Sequence, residues 1–354
     1  MDTGLPACAA EQTLQRITSP LGSRDVRRVP DGAHAFWLRA PGHGEIRPVR
    51  LPEPGRDDVV VRTVRSGVSR GTETLVFRGG VPPGQYAAMR APFQEGDFPG
   101  PLKYGYLSVG VVEQGPPDLH GRTIFCLYPH QTAYVVPAGA VAVVPEEVPP
   151  ARAVLAGIVE TAVNALWDAA PLVGDRVAVV GAGTVGCSVA RLMSRLPAVQ
   201  VTLVDVVADR ADVAAALGVD FAAPAEAAGG RDVVVHTSAT SSGLQLSLDL
   251  LAPEGTVIDL SWYGDTDVQL SLGGAFHSRR LGLRASQVGT ISPARSGSRT
   301  AADRLALALD LLRDPAFDVL VTGESDFSEL PDVMARLAAG SLPALCHTIT
   351  YGEG

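Results

Sequence analysis

A single lysine, Lys103, stands in a chain of 354 residues, so arginine carries nearly all of the positive charge. That bias fits a GC-rich bacterial genome rather than a chemical demand. Acidic residues outnumber basic ones, 38 to 29, for a formal net charge of -9. A surplus of this sign argues against nucleic acid or an anionic membrane as partner. Cysteine is scarce too. Cys8, Cys126, Cys187 and Cys346 lie far apart and form no C-x-x-C pair. This argues against disulfides and predicts a cytoplasmic protein. No run of 18 apolar residues and no signal peptide is visible, so no membrane association is expected. Residues 1–30 lack periodicity and mix Pro, Gly, Ser and Arg, which predicts a loose tail.

The 46% hydrophobic and 19% charged content suits a globular chain long enough for two cores. Its centre is the stretch from Pro171 to Arg210. Val177–Val180 reads as one buried strand. Gly181, Gly183 and Gly186 then spell G-x-G-x-x-G, and a helical pattern follows with Val185, Val189, Leu192, Met193 and Leu196 on one face. A second apolar strand, Val201–Val204, ends in Asp205, 19 residues past Gly186. This unit binds dinucleotides for physical reasons. Gly181 permits the sharp turn, Gly183 the approach of a pyrophosphate, and Gly186 close helix–strand packing. Thr184 and Val185 open the helix, whose free amides and positive end suit phosphate. Asp205 can accept from both hydroxyls of an adenosine ribose and would repel a 2′-phosphate, which favours NAD(H).

Before this unit, short strands with Pro and Gly turns predict a compact β-barrel-like domain. After it, DVVVHTS, GTVIDLSWYG and LGLRASQVG read as strands, with helices at ADVAAALG and SGLQLSLDLL. The alternation predicts an α/β fold with a doubly wound parallel sheet. Two further helices, RTAADRLALALDLLRDP and SELPDVMARLAAG, precede a last strand at ALCHTITY.

The segments SGVSRGTE, KYGYLSVGVV, VPPARA before ETAVNAL, and VGDRVAVVGAGTVG fall in the order of the medium-chain dehydrogenase/reductase superfamily. The chain resembles it over residues 33–354. SRGTE, KYGY and SWYG look most like the zinc-type branch that includes bacteriochlorophyllide a dehydrogenase. The resemblance implies a GroES-like β-rich catalytic domain over 31–157 and 289–354, and a Rossmann NAD-binding domain over 158–288. It implies an active-site cleft between them and a homodimer or homotetramer built by pairing Rossmann sheet edges. VVHTS followed by GTVIDLSW leaves room for such an edge.

The sequence departs from the family at the catalytic zinc. The ligand positions fall on Ser69, on Tyr106 and on Gly157 or Ala156, and the structural-zinc cysteines are absent. Zinc needs thiolate, imidazole or carboxylate, so no metal is expected. Tyr106 and Ser69 then become candidates to meet the charge of a developing alkoxide, against readings as a buried tyrosine and a turn serine. Glu160, before Thr161, is a candidate base or a carboxylate at a helix start. By family position Arg70 would hold a cofactor phosphate, with Thr72 and Glu73 on the same loop. Thr161, Ser238 with Ala239, and Trp262 with Tyr263 would line the cofactor, or merely pack. His130 reads as a turn histidine before it reads as a proton carrier. The apolar loop from Val81 to Gly100, with Phe93 and Phe98, is expected to shape a small-molecule substrate pocket.

Three functions remain open at this level. The first is a zinc-independent NAD(H)-dependent oxidoreductase moving hydride between nicotinamide and an alcohol or carbonyl carbon. The second is reduction of a conjugated C=C bond with NAD(P)H. The third is a non-catalytic NAD(H)-binding protein.

Overall fold

The computed structural model describes residues 32–352, so the tail expected over residues 1–30 and Cys8 lie outside the described residues. The first part holds β1 (Ala33–Ala40), β2 (His43–Val49), β3 (Asp58–Ser69), α1 (Arg70–Phe77), β4 (Glu95–Gly96) and β5 (Leu102–Lys103). It continues through β6 (Ser108–Gln114), β7 (Thr123–Cys126), β8 (Ala133–Pro137) and β9 (Val141–Val143) to the helices α2 (Pro150–Ala153) and α3 (Ala156–Ala169). The long strand β3 is its spine. Val59 and Val61 pack with Val112, Ile124 and Tyr134 in one core. Residues 70–77, expected in a loop, form α1, so Thr72 and Glu73 ride on a helix. Glu73, one turn into the helix, stabilises this start by accepting the Ser69 N–H at 2.8 Å.

The central part alternates as expected: β10 (Arg176–Val180), α4 (Thr184–Met193), β11 (Gln200–Val204), α5 (Arg210–Leu217), β12 (Asp220–Ala222), β13 (Arg231–His236), α6 (Ser241–Asp249), β14 (Leu251–Asp259), α7 (Ala275–Ser278) and β15 (Gly282–Ala285). The six strands run parallel in the order β12-β11-β10-β13-β14-β15. Successive strand residues face opposite sides. Val177 and Val179 therefore join the core under α3 and α4, while Ala178 and Val180 join Leu244 and Leu248 of α6. Helices on both faces bury the sheet, which is why its strands are continuous apolar runs. The free edge on this side is β15, one strand beyond the VVHTS and GTVIDLSW strands, which sit inside the sheet.

The last part returns to the first. It holds α8 (Ala301–Leu311), β16 (Val321–Asp326), α9 (Leu330–Ala338) and β17 (Cys346–Thr350). β17 pairs antiparallel with β3, and β16 pairs with β17, in a seven-stranded sheet. That register sets Cys346 opposite Ser69. No described helix is long and apolar enough to cross a membrane.

Candidate active site

The glycine turn has the geometry the motif requires. Gly181 takes φ +109°, and a Cβ on it would lie 2.7 Å from the Ser238 amide. A Cβ on Gly186 would lie 2.0 Å from the Gly181 carbonyl oxygen. Gly183, the N-cap of α4, instead faces open space, and no side chain caps the helix start. Thr184 and Val185 follow it, half-buried. This leaves an open cradle of first-turn amides, which fits a phosphate group.

Asp205 closes the turn after β11. Its carboxylate accepts the Ala182 N–H at 2.6 Å and the Val207 N–H at 2.9 Å. Arg70, at the start of α1, stands in the same electrostatic neighbourhood. Its guanidinium is held below its ordinary value by burial and by Arg210, with Asp205 opposing. The structure therefore gathers one carboxylate and two guanidiniums beside the glycine turn.

Tyr106 and Ser69 also meet. The Tyr106 hydroxyl donates to Ser69 Oγ at 2.7 Å. Burial first, with the Glu73 charge adding to it, pushes the Tyr106 phenol up to about 12; bonds to Ser69 and Thr72 oppose the shift. Tyr106 thus stays a donor at neutral pH, and the Ser69 proton has no acceptor among the described residues. Gly157, the other vacated ligand position, is packed so that a Cβ would meet Leu107 at 2.7 Å. Ser69, Tyr106 and Gly157 present no thiolate, imidazole or carboxylate, and no group of three His, Cys, Asp or Glu suits a metal ion among the described residues. These donors do not fit zinc.

Two expected site residues are differently occupied. Glu160 pairs with Arg304 at 3.0 Å, both side chains buried, so its carboxylate is not a free base. Burial raises its carboxyl above the ordinary value, and Arg304 opposes that shift. Thr161 donates its hydroxyl to the Gly157 carbonyl of its own helix at 2.9 Å.

Trp262, just past β14, and Tyr106 border one apolar cluster that also holds Phe98 and Tyr104. The backbone joins the same two walls, since the Asp265 N–H donates to the Gly80 carbonyl at 3.1 Å. Phe98 is buried there, whereas the exposed Phe93 packs tilted against Tyr128. A cavity of about 760 Å³ lies elsewhere, among α3, α4 and α8, with Trp167 and Leu311 in its wall.

Sequence reasoning missed His236. It is fully buried at the end of β13, directly opposite Asp259. Its Nδ1 lies 2.9 Å from Asp259, and its Nε2 lies 2.7 Å from Ser238 Oγ. Tyr263 donates to the second Asp259 oxygen at 2.9 Å, and the Ala239 N–H donates to Ser261 Oγ. The network fixes the backbone at the C-terminal ends of β13 and β14, where such sheets bind ligands. A histidine closing an apolar strand at that end was the available signal. His236→Leu should weaken NADH binding by about tenfold, or ~1.4 kcal/mol, in a fluorescence titration. Unchanged affinity would remove the network from the cofactor site.

The three sheets and their connections make up the fold of medium-chain dehydrogenases/reductases. Solved structures that share it include L-idonate 5-dehydrogenase from Escherichia coli, with a TM-score of 0.74 and 15% identity over 90% of this chain and 98% of that one. An alcohol dehydrogenase from Escherichia coli complexed with NADH gives 0.72 and 15% over 91% and 100%. A Sinorhizobium meliloti protein bound to NADP gives 0.72 and 19% over 91% and 100%. Among curated proteins, 2-desacetyl-2-hydroxyethyl bacteriochlorophyllide A dehydrogenase from Cereibacter sphaeroides is 34% identical over 87 residues. That match spans 24% of this chain and 23% of the relative's length. No family model matches the chain.

Proposed function

We propose that the protein is a zinc-independent, NAD(H)-dependent oxidoreductase acting on an alcohol or carbonyl group of a small organic molecule. The cleft would lie between residues 31–157 with 289–354 and residues 158–288. The observation that carries this reading is the Tyr106–Ser69 hydroxyl pair at the vacated ligand positions. The bound cofactor would exchange hydride at C4 of its nicotinamide. Gly183 and the α4 amides would hold the pyrophosphate, Arg70 would reach a phosphate oxygen, and Asp205 the ribose hydroxyls.

The chain's own residues would handle the proton. Ser69 donates to the substrate oxygen, and Tyr106 donates to Ser69. As negative charge grows on that oxygen, the Ser69 proton crosses to it and the Tyr106 proton replaces the one lost. A phenol pushed up to about 12 is still a stronger acid than an alkoxide's parent alcohol, so the transfer runs downhill.

The test is NADH oxidation and NAD+ reduction against a panel of alcohols, aldehydes, ketones and enones, with zinc measured on the same preparation. Tyr106→Phe should lower kcat by about a hundredfold and leave NADH affinity within about twofold. Carbonyl reduction should show no basic limb from Tyr106 up to about pH 10, because the group that must stay protonated ionises well above that. Wild-type rates in Tyr106→Phe, or one tightly bound zinc per chain, would overturn the reading.

Cofactor choice follows from the charges around the glycine turn. Asp205→Ser leaves Arg70 and Arg210 without their neighbouring carboxylate. The NADH-over-NADPH preference should then fall by at least about tenfold, ~1.4 kcal/mol. Competitive titration of both cofactors measures it, and an unmoved ratio would deny Asp205 that role.

A further inference from the structure

Behind the Ser69–Tyr106 pair runs a second chain of polar groups, buried from Glu73 to Ser66 and half-buried at Tyr351. Glu73 and His130 are 3% and 1% exposed, and Glu73 Oε2 lies 2.9 Å from His130 Nε2. His130 Nδ1 lies 2.6 Å from Ser66 Oγ, which lies 2.8 Å from the Tyr351 hydroxyl. The other Glu73 oxygen accepts the Ser69 N–H.

For a neutral imidazole beside an ionised Glu73, the chain has one consistent order of donors. With Glu73 as carboxylate, both of its oxygens accept, so His130 carries its proton on Nε2. In the neutral ring Nδ1 then accepts from Ser66, and Ser66 from Tyr351. Every hydroxyl donates once, and all point toward Glu73. No arginine or lysine forms an ion pair with Glu73 among the described residues; His130 is its partner. The remaining titratable groups that feel its charge are Tyr104, Tyr106, Cys346 and Tyr351, each hindered from ionising first by burial and then also by this carboxylate.

A buried carboxylate with no arginine or lysine partner is a poor device for stability alone. Its placement is informative: it grips the residue that accepts from Tyr106. We propose that Glu73 and His130 are positioning residues of the active site. They lock the Ser69 backbone and keep the Tyr106 hydroxyl donating toward Ser69, at the place where a metal centre would otherwise set the geometry. The proposal rests on the reading of Tyr106 and Ser69 as the proton path. Its test needs no substrate, so failure of that reading and failure of this one are separate results.

The experiment is NMR of the full chain carrying 13Cζ-tyrosine and 15N-histidine, with Tyr106→Phe used to assign the Tyr106 signal. In Glu73→Gln the side-chain amide presents a donor to His130. The imidazole should therefore move from the Nε2–H to the Nδ1–H form, and the Ser66 bond should reverse. The Tyr106 ring should lose its proton at least tenfold more readily than in the wild type. A role in filling space alone, with the charge and the acceptor of Glu73 doing nothing, would move neither signal. Both signals unmoved in a folded Glu73→Gln variant would overturn the proposal, as would movement of His130 with no change at Tyr106. If Glu73→Gln does not fold, the wild-type spectrum decides at pH 8. The Nε2–H form supports the donor order, and the Nδ1–H form refutes it.

Discussion

Gly186→Val should lower NADH affinity by at least about a hundredfold, ~2.7 kcal/mol, the largest cofactor effect expected of one substitution. Even a lone Cβ at this position would stand 2.0 Å from the Gly181 carbonyl oxygen and 2.6 Å from Thr237 Oγ1. The first of these is backbone and cannot rotate aside. The turn between β10 and α4 must open, and the helix start moves with it. Gly181 cannot absorb the shift, because its own positive φ holds it against the Ser238 amide. Gly183→Ala separates binding from folding. Its Cβ would enter open space, so its melting temperature should stay at the wild-type value while NADH affinity falls. Fluorescence titration with a thermal melt on each variant is sufficient. Wild-type affinity in a folded Gly186→Val protein would mean that the cofactor does not use this turn.

That turn was legible in the sequence because everything it needs is local. Three glycines, two apolar strands and an acid lie within 29 residues, from Val177 to Asp205, and each shows its purpose by its neighbours. The doubly wound sheet was legible for the same reason, through buried strands alternating with amphipathic helices. The edge strands β12, of three residues, and β16, where VTGESD is mostly polar, carry little such signal and were missed. α1 was missed because it starts in Ser-Arg-Gly-Thr, a weak helix sequence, and is secured by the return bond of Glu73 and by packing on α9. The polar networks were harder still. Glu73 and His130 lie 57 residues apart, and Ser66 and Tyr351 lie 285 apart. No spacing rule links such positions; β17 folding back beside β3 does. His130 was set down as a turn histidine because Pro129 precedes it, although its ring is buried between a carboxylate and a hydroxyl.

Glu160 is the instructive case, and its partner carries the largest stability effect. Arg304→Met should destabilise the fold by about 3–5 kcal/mol at neutral pH, because it leaves a carboxylate buried without its cation. Arg304 is 3% exposed and Glu160 4%. The guanidinium also donates to Asn164 Oδ1 and the Val288 carbonyl, each at 2.6 Å, and Asn164 Oδ1 accepts the Ser292 N–H. One side chain thus ties α3, α8 and the segment before α8 together. The pH dependence gives the test its sign. Burial already holds the Glu160 carboxyl above its unfolded value, and loss of Arg304 removes the force that opposes this. The folded variant then binds a proton that the unfolded chain releases. Its deficit is present in full above the folded value and shrinks as pH falls toward about 4.3, the ordinary glutamate range. The double variant Glu160→Gln/Arg304→Met removes the unpaired charge, and should recover at least half of the loss. Urea melts at pH 5 and pH 8 on the two variants measure both effects. A deficit that is equal at the two pH values, or a double variant no better than the single, would assign the loss to the Asn164 and Val288 bonds.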